Sequence, residues 1–142
     1  MDDEVWDDFA VRREGRRYRA LVADDDEGIR RLLTAVLELD GWEVHVAGDG
    51  DEAVAVTERV HPDAVLLDVM MPNSDGLTAL RRIRANAANR DVAIVMVSAL
   101  GEGTSVAEAA EAGADDYLVK PIAVSDVASR VLQLVQRSAS AE

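Results

Sequence analysis

The chain is predicted to fold as an α/β protein, a doubly wound parallel sheet of five strands with five helices. Three observations predict it. From residue 19 onward, short apolar runs alternate with stretches of helical spacing, and turn signals stand between them. The 142 residues suit one ordinary domain and are too few for two. With 49% hydrophobic and 30% charged residues, the composition is globular rather than disordered.

Residues 1–18 lie outside the alternation. They hold acidic MDDEVWDD, then basic RREGRRYR, with Trp6, Phe9 and Tyr18 among them. They read as a flexible extension with opposed charge blocks, the sharper alternative being a short helix that docks Val5, Trp6 and Phe9. The first strand is ALVA (20–23), and Ile29, Leu32, Leu33, Val36 and Leu37 place the first helix at i, i+3, i+4, i+7, i+8 spacing. Asp40-Gly41 turns the chain into the second strand, WEVHV (42–46). Asp49 followed by Glu52 has the form of a capping box that opens the second helix. AVLLD (64–68) is the third strand. Pro72-Asn73 and Asp75-Gly76 then mark turns before a helix carrying Leu77, Leu80 and Ile83. VAIVMV (92–97) is the fourth strand, Ala112-Gly113 marks the next turn, and YLV (117–119) is the fifth strand. Val124, Val127, Val131 and Leu134 form the stripe of a last helix. The domain is expected to span residues 19–138, with 139–142 as a C-terminal tail.

Composition excludes several classes. Without cysteine there are no disulfides or thiolate metal sites. No apolar run approaches membrane-spanning length, and the acidic start is unlike a signal peptide, so a soluble cytoplasmic protein is expected. A net charge of −13 argues against direct nucleic-acid binding by this segment, since phosphate contacts need basic patches. Of the 15 basic residues only Lys120 is a lysine. A compact ammonium in an arginine-rich chain marks that position for attention. His45, between valines in a short strand, and His61, before Pro62, read as bystanders.

In an open sheet of this kind, ligands sit beyond the carboxyl ends of the strands at the switch point. Asp24 and Asp25 end the first strand and Asp68 the third, and a 2-1-3-4-5 order makes those strands neighbours. Three converging carboxylates repel unless a cation joins them. All-oxygen ligation suits magnesium or calcium, and a shallow site with few protein ligands favours magnesium. Helix capping by Asp25 or Asp26 would explain part of the cluster but not Asp68. An EF-hand is excluded, because Gly28 is misplaced for one. Ser98 adds a hydroxyl after the fourth strand, and Lys120 adds its ammonium after the fifth. Together these groups could handle a phosphoryl group.

Residues 19–138 resemble the receiver domain of two-component response regulators. LVADDDEG, DAVLLDVMMPNSDG, IVMVSA and AGADDYLVKP fall in that family's order and spacing. The resemblance implies a flavodoxin-like sheet of order 2-1-3-4-5, with Asp68 accepting a phosphoryl group from a histidine kinase. It implies that Asp25 binds Mg2+ directly with Asp68, that Asp24 orients metal-bound water, and that Met70 gives its backbone carbonyl. It also implies that Ser98 and Lys120 bind phosphoryl oxygens, and that Tyr117 swings inward with Ser98 as a switch to an effector. Such a protein is no enzyme in the ordinary sense, since it catalyses only its own phosphorylation and slow dephosphorylation. Met70 and Leu100 stand where polar side chains usually assist that hydrolysis, so it should be slow. The family further implies a cis Lys120–Pro121 bond.

Rival readings fit less well. A haloacid-dehalogenase-like phosphatase needs an acid where Met70 stands, and a flavin mononucleotide would be repelled by DDDEG. A receiver-like module that binds partners without phosphorylation remains the alternative. AGADDYLVKP also resembles receivers that drive winged-helix transcription factors and often dimerise through the fourth helix, fifth strand and fifth helix. Asp116 and Arg130 fit that pattern. The fourth helix, however, offers Glu102, Glu108 and Glu111, with Val106 where a base is common, and Ile122 replaces the usual aromatic. A symmetric dimer would oppose acidic helices. The unphosphorylated protein is therefore expected to be a monomer whose face meets a partner of basic character.

Overall fold

Five parallel strands form one sheet in the order β2-β1-β3-β4-β5, the flavodoxin-like order. In the computed structural model, which describes residues 15–99 and 106–141, the strands are β1 (Arg19–Ala23), β2 (Glu43–Ala47), β3 (Ala64–Asp68), β4 (Ala93–Ala99) and β5 (Asp116–Lys120). The helices are α1 (Glu27–Leu39), α2 (Gly50–Val60), α3 (Gly76–Ala85), α4 (Val106–Ala112) and α5 (Val124–Ala141), with a 3-10 turn at Ala87–Asn89. Val5, Trp6, Phe9, Leu100 and Glu102 lie outside the described residues.

Strand alternation divides the core in two. Val22, Leu66, Val95 and Val97 face α1 and α5, where Leu33, Leu37, Val127 and Val131 close over them. Leu21, Val65, Leu67, Ile94 and Met96 face the other way, onto Val56, Leu80, Ile83 and Ala109. β3 is buried along its whole length, because helices cover both faces of a central parallel strand.

Three helices that start at the carboxyl edge of the sheet open on an aspartate. Asp26 accepts from the Ile29 N–H at 3.2 Å, Asp49 from Glu52 at 2.7 Å, and Asp75 from Thr78 at 2.8 Å. The capping box at α2 is modified: Glu52 reaches back to the N–H of Gly48 rather than of Asp49.

Both ends differ from the sequence expectation. Tyr18 is buried, tilted against Trp42 with ring centroids 5.4 Å apart, and Arg16 pairs with Asp63 at 3.3 Å. Residues 15–18 therefore attach to the sheet instead of fraying, because the Tyr18 ring covers apolar surface beside β2. At the other end α5 runs to Ala141, past residue 138, because nothing in SASA breaks a helix. Within the fold, Ser98 lies inside β4 rather than after it, and Trp42 precedes β2. His61 caps α2 in the left-handed region, at φ 53°. His45 Nε2 lies 2.9 Å from Glu43 Oε2.

Candidate functional site at the carboxyl edge

Register brings the acidic residues together. β1 pairs with β3 through Ala23 and Leu67, so the chain leaves both strands at one level, at Asp24 and Asp68. Asp24, Asp25 and Asp68 each offer a carboxylate oxygen, all within 4.8 Å of one another. Asp24 and Asp68 are buried while Asp25 is exposed, so the cluster opens to solvent on one side. Asp26 turns away to cap α1, and its N–H donates to Asp24 Oδ1 at 2.9 Å. The run of aspartates thus divides between a helix cap and an acidic pocket.

Lys120, last residue of β5, reaches across β4 to this pocket. Its Nζ lies 3.0 Å from Asp24 Oδ2 and 3.5 Å from Asp68 Oδ1. The Lys120–Pro121 bond is cis. Burial alone would lower the lysine pKa, but the hydrogen bond and charge of Asp24, with those of Asp68, hold it above its usual value.

The Asp68 pKa is raised as well, from 3.8 to about 7, which for a carboxyl favours the neutral form. Burial is the largest cause and the Asp24 charge the next; Lys120 and a bond from the Met70 N–H oppose them. Asp68 Oδ1 is buried with no hydrogen-bond partner. A buried carboxylate oxygen facing two further carboxylates has the donor chemistry that a hard cation takes. These residues fit Mg2+.

The remaining expected residues surround this centre. Ser98 is buried one step beyond Val97, the partner of Asp68 across β3 and β4, and its hydroxyl donates to the Ala99 carbonyl at 2.9 Å. Tyr117 pairs with Met96 and is half-buried against the α2–α4 side of the core. Met70 is exposed and lies in the loop after β3. Asp116 pairs with Arg130 of its own chain at 2.8 Å.

Sequence reasoning missed several supports. Arg30 of α1 donates to the Asp24 carbonyl at 2.7 Å, a contact that its place one turn into the helix could have suggested. Gly76 lets α3 start against β3, since a Cβ there would lie 2.1 Å from the Asp68 carbonyl. The Met70 N–H bond to Asp68 is a backbone contact with no residue signature.

Comparison with known proteins follows the same ground. The response regulator receiver domain family matches residues 20–132. The transcriptional regulatory protein ResD of Bacillus subtilis is 41% identical over 120 residues, which are 84% of this chain and 49% of that protein. The chain spans about half the length of the curated relatives it matches. Among solved structures, a response regulator from Chloroflexus aurantiacus shares 34% identity at a TM-score of 0.79, covering 84% of this chain and 98% of that one. A structure described as the CheX-CheY-BeF3-Mg+2 complex from Borrelia burgdorferi shares 29% at 0.79, covering 88% and 95%.

Proposed function

Because the chain belongs to the response regulator receiver domain family, we propose that it is a phosphorylation-activated switch whose phosphoacceptor is Asp68 and whose donor is a histidine kinase. One observation carries this reading. Asp68 presents a buried oxygen to Asp24, Asp25 and the Lys120 ammonium, 3.5 Å away, at the carboxyl edge of neighbouring strands. Capping and packing give no reason for that convergence.

In this reading Asp24, Asp25, Asp68 and the Met70 carbonyl hold Mg2+. When bound, the cation supplies neutralisation of the charge that gathers on the carboxylates and phosphoryl oxygens during transfer. An Asp68 oxygen attacks phosphorus as the P–N bond to the donor imidazole breaks, and the electron pair stays on nitrogen. Lys120 follows the transferred oxygens, exchanging its contact with Asp24 for one with the phosphoryl group. Ser98 turns its hydroxyl from the Ala99 carbonyl toward the same oxygens, and Tyr117 moves inward behind it. The effector is a further domain or a separate protein, as relatives that are transcriptional regulators suggest.

Incubation with acetyl phosphate and Mg2+, followed by intact-mass measurement, tests the proposal. One phosphoryl group should be gained, and none by Asp68→Ala or in excess chelator. Mass gain by the Asp68→Ala protein would refute it. A parent that gains nothing would favour the phosphorylation-independent binding module.

A further inference from the structure

The loop between β3 and α3 carries a strained backbone with a side-chain tether at its tip. Asn73 has φ 68°, and the Ser74 N–H donates across it to the Pro72 carbonyl at 2.8 Å. A bond from residue i+2 to residue i over a positive φ is a γ-turn of the rarer, more strained kind. Such strain persists only where the surroundings hold it. Here they do so from α2. Asn73 Nδ2 donates to Asp49 Oδ2 at 2.9 Å, and because a carboxylate only accepts, that contact fixes the amide orientation. Beneath it the backbones of α2 and the loop touch: a Cβ on Gly50 would lie 1.8 Å from the Ser74 carbonyl.

The tether closes a ring around the acidic pocket. The Asp24 N–H donates to the Ala47 carbonyl at 3.1 Å, which fixes the β1 end to the turn that holds Asp49. Asp49 then holds Asn73, three residues beyond Met70, whose N–H bonds the Asp68 carboxylate. Asp24 and Asp25 sit on one side of this ring and Asp68 with Met70 on the other. Pairing of β1 with β3 sets Asp24 against Asp68, whereas Met70 lies in the β3–α3 loop that Asn73 ties to the β2–α2 turn.

We propose that the Asp49–Asn73 hydrogen bond is a positioning latch that places the Met70 backbone against the paired strand ends of the cation site, and so sets its Mg2+ affinity. The inference rests on the phosphoacceptor reading. Neither residue touches the cation; both act through the loop.

Two variants separate the latch from other roles of these residues. Asn73→Gly removes the amide while tolerating the positive φ. Asp49→Ser keeps a competent cap for α2 while losing the second oxygen. Calorimetric titration with Mg2+ should show each single variant binding about three- to tenfold more weakly than the parent, and the double variant no more weakly than the weaker single. In chelator, the Ser74 and Met70 amides should exchange with deuterium faster in both singles. Unchanged Mg2+ affinity in either single, or losses that add in the double, would overturn the latch. Absence of Mg2+ binding by the parent would instead overturn the phosphoacceptor reading on which it stands.

Discussion

At the scale of single residues, Asp68 stands out because its environment opposes its charge. Folding raises its pKa from 3.8 to about 7, so between those values the folded protein binds more protons than the unfolded chain. Its contribution to stability is full below the lower value and is lost as pH rises through the upper one. Asp68→Asn, which cannot ionise, should therefore raise the melting temperature at pH 7.5 in chelator by roughly 2–6 °C. The gain should shrink toward pH 5, and calorimetry across that range checks it. A gain independent of pH would show that charge is not the cause. Adding Mg2+ should stabilise the parent and narrow its gap to the variant, since a bound cation favours the charged carboxylates. The positions of Asp24, Asp25, Asp68 and Lys120 were legible in the sequence because unusual residue types fall at strand ends. The Met70 N–H and the Ser74 carbonyl were not, because every residue carries those groups.

Among the elements, contacts between loops and helices matter more than helix propensity. Gly50→Ala illustrates this. In a helix that exchange ordinarily stabilises by up to about 1 kcal/mol. At Gly50 the added carbon would press on the Ser74 carbonyl at 1.8 Å, so a loss of about 2 kcal/mol or more is expected in urea unfolding. Arg84 supplies a second case. From α3 it donates to the carbonyls of Gly113 at 2.9 Å and Asn89 at 2.8 Å, and pairs with Asp115 at 2.9 Å. Asp115 in turn accepts from the Ile94 N–H at 2.8 Å. Arg84→Met should cost about 1–3 kcal/mol by the same measurement, because it strips partners from carbonyls at the junction of α3, α4 and β5. The five strands could be read within a residue or two because buried apolar runs show locally. The Arg84 junction joins segments 29 and 31 residues apart in sequence, and no local pattern announces it. Tyr18 was misplaced for the same reason, since its partner Trp42 lies a helix away.

Across the whole molecule, the α4–β5–α5 face bears on assembly. Asp116 and Arg130 satisfy one another within one chain, Glu108 and Glu111 stand exposed on α4, and Val106 is 61% exposed beside them. Two such faces would meet acid to acid. Sedimentation should find a monomer at modest concentration before and after phosphorylation. A dimer that disappears when Asp116 or Arg130 is replaced would refute this. The paired lysine carries a different consequence. Lys120 is the only lysine of the chain, its side chain is 22% exposed, and Asp24 holds it protonated. Only the neutral amine attacks an acylating reagent, so a succinimidyl ester should label this position far more slowly than a free lysine at pH 8. Whatever occupies the pocket and draws the ammonium off Asp24 will change that labelling rate, which peptide mapping reads apart from the α-amine, so the lone lysine becomes a chemical reporter of pocket occupancy.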